Sequence, residues 1–312
     1  MLSRVAAWLF GQAYLLLILA TFFWGGNMVA GRAAVGHVPP VTLATVRWIV
    51  AFLVVLPFAW PHLKRDWPVI RENFAFLCAV GATGIAAFNT LVYVGLEYTT
   101  AIKAALLQST QPLLIGLWSF LLFAAILTGR QLVGIAISFV GVVGIITEWS
   151  PQALLGLDLN VGDLIVFAAC VSYALYSTLL RRMPPIHWTS ALAFTFAVGA
   201  IILCPFWFWE MAEGRYPVFD GTTIFVTLYV SLLPSIVSYL CYNRGVQLIG
   251  PNRTGPFLHL VPVFGTVFAI VILGEKLHLY HLASFALIFT GIAIAARGRP
   301  LSATVPAGTG RL

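Results

Sequence analysis

Apolar residues fill this chain in long runs, and short polar segments separate the runs. A run of about 20 apolar residues is what an α-helix needs to cross the hydrocarbon core of a membrane. Ten runs approach that length, and they cover residues 13–34, 40–60, 73–96, 101–124, 130–147, 162–181, 187–209, 222–247, 253–273 and 279–297. The pattern therefore predicts an all-α membrane protein with ten transmembrane helices.

The second half of the chain repeats the first at an offset of 150 residues. The offset carries the third to fifth predicted helices onto the eighth to tenth without a gap. The aligned pairs are Gly95 with Gly245, Lys103 with Arg253, Pro112 with Pro262, Leu132 with Leu282, Phe139 with Phe289 and Gly141 with Gly291. Glycine, cation, proline and glycine in one register indicate an internal duplication. Since each repeat holds five helices, an odd number, the second repeat must lie upside down in the membrane.

The duplication divides the chain into five predicted parts. These are a cytoplasmic N-terminus (1–12), a first five-helix repeat (13–147), an external linker (148–161), a second five-helix repeat (162–297) and a disordered cytoplasmic tail (298–312). The first run follows a single cation and has no small-residue cleavage site, so we expect it to stay in the mature protein. The tail is rich in Gly, Pro, Ala and Thr, a composition that forms no packed core.

Composition excludes a soluble protein. Of the 312 residues, 61% are hydrophobic and only 9% are charged, and the mean hydropathy is +0.97. A soluble domain needs more charge on its surface. The four cysteines lie inside apolar runs without the spacing of a disulfide or zinc framework, so they are interpreted as small packing residues.

The distribution of cations predicts the orientation in the membrane. Lysine and arginine are enriched in cytoplasmic loops. With the N-terminus inside, the cytoplasmic segments hold Arg4, Lys64, Arg65, Arg71, Arg130, Arg181, Arg182, Arg253, Arg297, Arg299 and Arg311. The outer loops hold only Arg32, Lys103, Arg215 and Lys276. Both termini are therefore predicted to be cytoplasmic, in a multi-pass protein of the cell inner (plasma) membrane.

Polar side chains at membrane depth form stripes at helical spacing. Such residues usually face the interior of a bundle or a water-filled path. We expect the following to line one cavity and bind substrate: Trp24, Asn27, Asn89, Tyr93, Gln108, Gln111, Tyr173, Tyr176, Tyr239, Tyr242, Asn243 and His259. Each also has a simpler interpretation, because amides often only join two helices and aromatic side chains often only anchor helix ends.

Three further residues are predicted to have gating or structural roles. Pro112 and Pro262 interrupt membrane runs at matching places in the two halves. Paired interruptions of this kind point to the binding region of a transporter. Arg47 lies well inside the second predicted helix, where it either pairs with a carboxylate or helix-end carbonyls or takes part in function.

Several motifs resemble one family. The segments are Trp24-Gly-Gly-Asn27, Val29-Ala-Gly-Arg32, Pro40-Val-Thr-Leu-Ala-Thr-Val-Arg47-Trp48, Pro262-Val-Phe, and Leu273-Gly-Glu-Lys-Leu277 with the closing Gly291. Together they resemble the EamA family of the drug/metabolite transporter superfamily over roughly residues 13 to 297. The first half departs from the pattern, because Thr128-Gly-Arg130 stands where Gly-Glu is usual. Glu275 therefore has no acidic counterpart.

The resemblance implies a ten-helix exporter with two inverted repeats and alternating access around a central cavity. By length and by the tyrosine-rich sixth and eighth helices, the chain is similar to bacterial exporters of aromatic and other amino acids. The preferred function is export of small metabolites, with amino acids as the leading candidate substrates. The alternatives are export of other metabolites or drugs, a membrane scaffold, or an enzyme acting on lipids.

The sequence predicts no cofactor and no nucleic-acid partner, and it predicts a monomer or weak dimer that binds a small molecule within the bilayer. His278 and His281 stand three residues apart and could ligate a metal, but they are interpreted as interfacial polar groups at a helix start. The deep polar set is a binding set without the acid, base or metal groups of an enzyme. No clear intramembrane carboxylate is present, so we expect facilitated movement and a cavity without fixed charge.

Overall fold

The computed structural model describes residues 8–34, 36–155, 160–273 and 276–297, and those residues form helices and no strand. Within these described ranges, ten helices are long and apolar enough to cross a membrane. We number them α1 to α10 in chain order. The continuous ones are α1 Ala13–Ala34, α2 Pro40–Glu72, α5 Gly129–Thr147, α6 Val161–Leu179, α7 Trp188–Ala212 and α10 Leu279–Ala296. Each of the other four is interrupted.

Helices α3 and α8 contain π-helical turns at equivalent places in the two repeats. α3 runs as Phe74–Gly81, Ala82–Ala87 and Phe88–Gly95, and α8 as Gly221–Val230, Ser231–Val237 and Ser238–Ile249. The middle segment of each is π-helical. An offset of 150 carries one π segment onto the other, and π turns are frequent at functional sites.

Helices α4 and α9 are interrupted just before the paired prolines. α4 consists of Ala101–Gln108 and Gln111–Phe123. α9 consists of Pro251–Thr254, a 3-10 turn Gly255–His259, and Leu260–Leu273. Under the 150-residue offset the two interruptions overlap at Ser109 and His259. Because a proline removes an amide donor and crowds the preceding turn, the break upstream of each proline has a physical cause.

Helix α2 is longer than the sequence predicted. It continues past residue 60 to Glu72 and contains Pro57, Pro61 and Pro68. These prolines lie close to one face, so the hydrogen bonds on the other faces continue the helix. At about 1.5 Å per residue the helix is about 50 Å long, which exceeds the about 30 Å hydrocarbon core.

The contact between α5 and α10 displays the inverted symmetry. A Cβ on Gly134 would stand 2.5 Å from the main-chain oxygen of Gly291, and one on Gly141 would stand 2.7 Å from that of Ser284. Adding 150 to Gly134 gives Ser284, and adding 150 to Gly141 gives Gly291. The two contacts are therefore exchanged when the repeats are exchanged, as an inverted pair requires. The predicted fold of two inverted five-helix repeats is confirmed.

Helices α2 and α7 cap each other reciprocally. The buried Glu210 carboxylate near the end of α7 accepts hydrogen bonds from the backbone N–H groups of Val41 and Thr42, at 3.1 and 2.6 Å. The Asp66 carboxylate near the end of α2 accepts from the His187 backbone N–H at 2.7 Å. Each helix thus places a negative charge at the positive N-terminal end of its neighbour.

The predicted domain boundaries remain predictions. A short helix, Pro151–Leu155, lies in the predicted linker. The tail 298–312, Arg4, Asp158 and Glu275 lie outside the described residues. We refer below to the Ala34 end of the bundle, where α1 ends and α4 begins, and to the opposite Ile249 end, where α8 joins α9.

Candidate functional site

A cavity of about 110 Å³ lies where the two repeats meet. Eight of the twelve residues expected to bind substrate line it: Trp24, Asn27, Asn89, Gln108, Gln111, Tyr173, Tyr239 and His259. Arg47 and Pro262, expected to be gating or structural residues, line it as well. The stripes on α1, α3, α4, α6, α8 and α9 thus converge on one place.

Four of the expected binding residues lie outside the cavity wall. Tyr93 stands behind the wall, where its hydroxyl accepts a hydrogen bond from Arg47 at 3.4 Å. Tyr176, Tyr242 and Asn243 lie deeper, toward the Ile249 end. Their role as substrate ligands stays a prediction that the cavity wall does not support in this conformation.

Arg47 is held by neutral groups of two other helices, α3 and α8, and by the ring of the adjacent Trp48. Its Nε donates to the Ser235 hydroxyl over 2.5 Å, and Nη1 donates to Asn89 Oδ1 over 3.3 Å. Its guanidinium also lies 4.8 Å from the centre of the Trp48 ring. The expectation of a cavity without fixed charge is therefore wrong, because the Arg47 side chain extends from α2 to the cavity wall. Sequence spacing could not show which way the side chain turns.

The π segments supply acceptors to the site. The Tyr239 hydroxyl donates to the Gly84 main-chain oxygen over 2.7 Å, and Asn89 Nδ2 donates to the same hydroxyl over 3.4 Å. On the other repeat, Trp24 Nε1 donates to the Pro234 oxygen over 3.0 Å. Gly84 and Pro234 are equivalent under the 150-residue offset. Both irregular turns therefore present a carbonyl that a side chain at the site binds.

Aromatic rings form a packed layer beneath the cavity. The Trp24 ring lies 5.3 Å from the Tyr242 ring, 5.8 Å from Tyr239 and 6.1 Å from Tyr173. Such tilted and edge-to-face pairs add stability beyond the area that they bury. The layer separates the cavity from the Ile249 end of the bundle.

Two hydrogen bonds between α6 and α8 continue this layer toward the Ile249 end. The Tyr176 hydroxyl donates to Asn243 Oδ1 over 2.5 Å. The hydroxyl groups of Ser177 and Tyr242 stand 2.7 Å apart. Both tyrosine side chains are fully buried. In this conformation the bundle is closed at that end.

His259 is fixed in one tautomer. Its Nε2 stands 2.9 Å from the Ser109 main-chain oxygen, and Nδ1 stands 2.6 Å from the Ser138 hydroxyl. A carbonyl oxygen only accepts, so Nε2 carries a proton, and in the neutral ring Nδ1 then accepts from the Ser138 hydroxyl. Sequence reasoning missed Ser109, although its register, 150 residues before His259, pointed to it. Ser138 gave no such signal.

The prolines differ in their surroundings. Pro262 lines the cavity, whereas Pro112 is buried beside Gly255, and a Cβ added to Gly255 would stand 3.3 Å from the Pro112 Cα.

His278 and His281 lie away from the cavity, at the start of α10. The Nδ1 atom of the His281 ring accepts a hydrogen bond from the His278 backbone N–H over 3.0 Å. That contact caps the start of α10, as expected for polar groups at a helix start.

Comparison with known proteins identifies the repeats. A model of the EamA-like transporter family matches the chain twice, over residues 11–147 and 160–297. Two matches of one model confirm the internal duplication. A solved crystal structure that is 19% identical superposes with a TM-score of 0.73, covering 91% of this chain and 96% of the other. That likeness shows the fold alone.

Several curated relatives match along nearly their whole length. The uncharacterized transporter YyaM of Bacillus subtilis is 28% identical over 289 residues, covering 90% of this chain and 92% of the relative. The uncharacterized transporter YetK of the same organism is 26% identical over 292 residues, covering 90% and 86%. An uncharacterized transporter of Archaeoglobus fulgidus is 27% identical over 268 residues, covering 85% and 90%.

Proposed function

The chain belongs to the EamA-like transporter family, and we propose that it exports small metabolites, amino acids first, by alternating access around the cavity. The observation that carries this proposal is the position of the cavity between the repeats. Asn27 and Asn89 reach it from the first repeat, and Tyr173 and Tyr239 reach it from the second. Substrate sites of secondary transporters commonly lie at such an interface.

The cavity wall suits an amino acid. Asparagine and glutamine side chains can accept from an ammonium and donate to a carboxylate. A tyrosine ring offers apolar area and one hydroxyl. The volume of about 110 Å³ is below the about 150 Å³ of a cavity that holds benzene. Small amino acids therefore fit this conformation, and aromatic ones require side chains such as Trp24 to move.

The conformation described here is the one closed toward the cytoplasm. The cation distribution predicts that the Ile249 end is cytoplasmic, and the Tyr176–Asn243 and Ser177–Tyr242 contacts close that end. Export requires these contacts to open so that substrate enters from inside. A reporter fused after Leu312 tests the orientation in the inner membrane, and activity of that reporter on the periplasmic side would overturn it.

Movement is facilitated, down the substrate gradient. Among the residues that the structure describes, those that line the cavity include no aspartate or glutamate. Both ring nitrogens of His259 are engaged by Ser109 and Ser138, which favours a structural role over proton carriage. In sealed vesicles, a pH jump should drive no uphill uptake. Uphill uptake that disappears in His259→Ala would contradict this.

The central experiment is transport by the purified protein in proteoliposomes. We expect exchange of labelled amino acids, reduced in Tyr239→Ala and intact in Tyr216→Ala. Tyr216 is an exposed loop tyrosine away from the cavity and serves as the matched control. A protein that moves no solute but turns over lipid would support the enzyme alternative instead.

A further inference from the structure

Arg47 is a positive charge in the cavity wall for which the described residues provide no negative partner. Its side chain is only 1% exposed, and it lines the cavity. Its hydrogen-bond acceptors are the neutral oxygens of Ser235, Asn89 and Tyr93. Among the residues that the structure describes, no carboxylate forms an ion pair with it. The cavity thus carries one fixed positive charge.

Such an arrangement calls for an anion. A guanidinium keeps its proton throughout the physiological pH range. Removing it from water is costly unless a counter-charge compensates, and intramembrane arginines usually pair or face a water-filled path. The bonds to neutral oxygens use Nε and Nη1, and Nη2 has no hydrogen bond to a described residue. The two N–H bonds of Arg47 Nη2 are therefore left for a ligand.

The three bonds also give the guanidinium a fixed position. Ser235 belongs to the π segment of α8, and its own hydroxyl donates to the Val230 oxygen over 2.7 Å. Asn89 is held in turn by the Tyr239 hydroxyl. Holding α2 against α3 and α8 would need only a neutral donor. A charge at this place is explained by a ligand in the cavity and not by the packing of the helices.

We propose that Arg47 binds the carboxylate of the transported molecule, so that the substrate class is small organic acids with a single carboxylate, amino acids included. The proposal rests on the transport function proposed above. A planar guanidinium matches a carboxylate, and charge-assisted bonds of this type are the strong ones. In the same cavity, the buried amide oxygen of Asn27 has no hydrogen bond to a described residue, and it is a fitting acceptor for an ammonium group.

The first experiment uses the unmodified protein and a set of compounds of one shape. Purified protein in detergent is heated with L-leucine, 4-methylpentanoate (no ammonium), L-leucinamide and 3-methylbutylamine (no carboxylate), and 3-methylbutyl phosphate. A ligand that binds the folded state raises Tm, and the concentration dependence gives Kd. We expect the two carboxylates to bind about 10- to 100-fold more tightly than the amide and the amine, the range typical of one charged hydrogen-bonding group.

The second experiment changes the arginine. Arg47→Gln should remove the preference for leucine over leucinamide, and Arg47→Lys, which keeps the charge without the fork, should restore part of it. Arg244→Gln is the matched control. Arg244 lies outside the cavity at the Ile249 end, where it donates to the Phe10 main-chain oxygen. That variant should keep the full preference.

The outcomes separate this inference from the proposed function. Equal affinity for acid and amide overturns the role of Arg47, and so does an unchanged preference in folded Arg47→Gln. If Arg47→Gln does not fold, the compounds tested on the unmodified protein and on Arg47→Lys decide. Tighter binding of the phosphate overturns the carboxylate assignment.

Two results would support one proposal and overturn the other. If leucine is transported but leucinamide binds equally well, the proposed amino-acid transport is supported and the role of Arg47 is overturned. If 4-methylpentanoate binds but no amino acid is transported, carboxylate binding by Arg47 is supported and amino-acid transport is overturned. If no compound binds, both proposals are overturned.

Discussion

His259 Nε2 donates a hydrogen bond over 2.9 Å to the main-chain oxygen of Ser109, a residue one repeat length, 150 positions, earlier in the chain. The same holds for Asn89 Nδ2 and the Tyr239 hydroxyl. Residues that are equivalent in two inverted repeats touch only near the axis that relates the repeats. Both pairs line the cavity. The cavity is therefore built on that axis.

The Asn89–Tyr239 pair should matter for transport more than for folding. Tyr239→Ala and Asn89→Ala should each reduce transport of large apolar amino acids while membrane protein levels stay unchanged. Tyr239→Phe should have a smaller effect, because the ring remains and only the two hydrogen bonds of the hydroxyl, to the Gly84 oxygen and from Asn89 Nδ2, are lost, at a cost of roughly 1–3 kcal/mol. Transport rates normalised to protein amount check this. Rapid labelling of Tyr239→Cys from the lipid phase alone would contradict the cavity assignment.

The paired prolines should affect the transport cycle. Pro262→Ala restores an amide donor beside the 3-10 turn Gly255–His259, so α9 can become more regular at the cavity. We expect intact folding and a slower cycle, measured as substrate exchange in proteoliposomes. Pro112→Ala is the equivalent change in α4. Loss of the protein from the membrane in either variant would show that the proline is needed for folding instead.

The α5–α10 contact should be intolerant of any side chain. In Gly134→Ala the new methyl group would meet the Gly291 oxygen and the Ala295 nitrogen at 2.5 and 2.6 Å, and both are backbone atoms that cannot rotate away. Overpacking of this kind costs about 1–3 kcal/mol. Tm of the purified protein should fall accordingly. Gly129→Ala is the control, since nothing lies within 4 Å of its added Cβ; an equal fall in both variants would refute the packing argument.

The Glu210 cap should contribute to stability through its charge. The carboxylate accepts from the backbone of Val41 and Thr42 and from the Thr42 hydroxyl at 2.7 Å, and it is 2% exposed. Glu210→Gln keeps the size but turns one acceptor into a donor facing N–H groups. We expect a loss of roughly 1–3 kcal/mol, seen as a lower Tm. The exposed Glu213 provides the control, and Glu213→Gln should leave Tm unchanged.

In the loop between α7 and α8, Asp220 should form a contact that weakens in acid. The Thr223 backbone N–H donates to Asp220 over 2.8 Å, and the His37 ring stands 2.6 Å from the same carboxylate. These bonds hold the pKa of Asp220 below its usual range. The contribution to stability is therefore present above about pH 4, the ordinary aspartate pKa, and is lost as pH falls through the lower folded-state pKa. Tm measured against pH should fall less steeply on the acid side in Asp220→Asn; identical profiles would contradict the assignment.

Hydrophobic run length and the 150-residue register determined the number of helices, their inverted arrangement and the matching interruptions. Membrane thickness explains why this was possible, because a spanning helix needs a long apolar run whatever it packs against. Duplicated sequence carries duplicated geometry, so Pro112 and Pro262 could be placed without coordinates. The end of α2 could not be placed from the sequence, because its internal prolines lie on one face and do not end the helix.

Only the tertiary structure decided which deep polar side chains share a wall. Tyr173 and Tyr176 lie on one helix three residues apart, yet Tyr173 lines the cavity and Tyr176 bonds to Asn243 in the closed layer beneath it. Arg47 likewise faces the cavity because α3 and α8 supply the oxygens that hold it. Helical periodicity gives the angle of a side chain about its own axis. What stands opposite that side chain depends on the packing of the other helices.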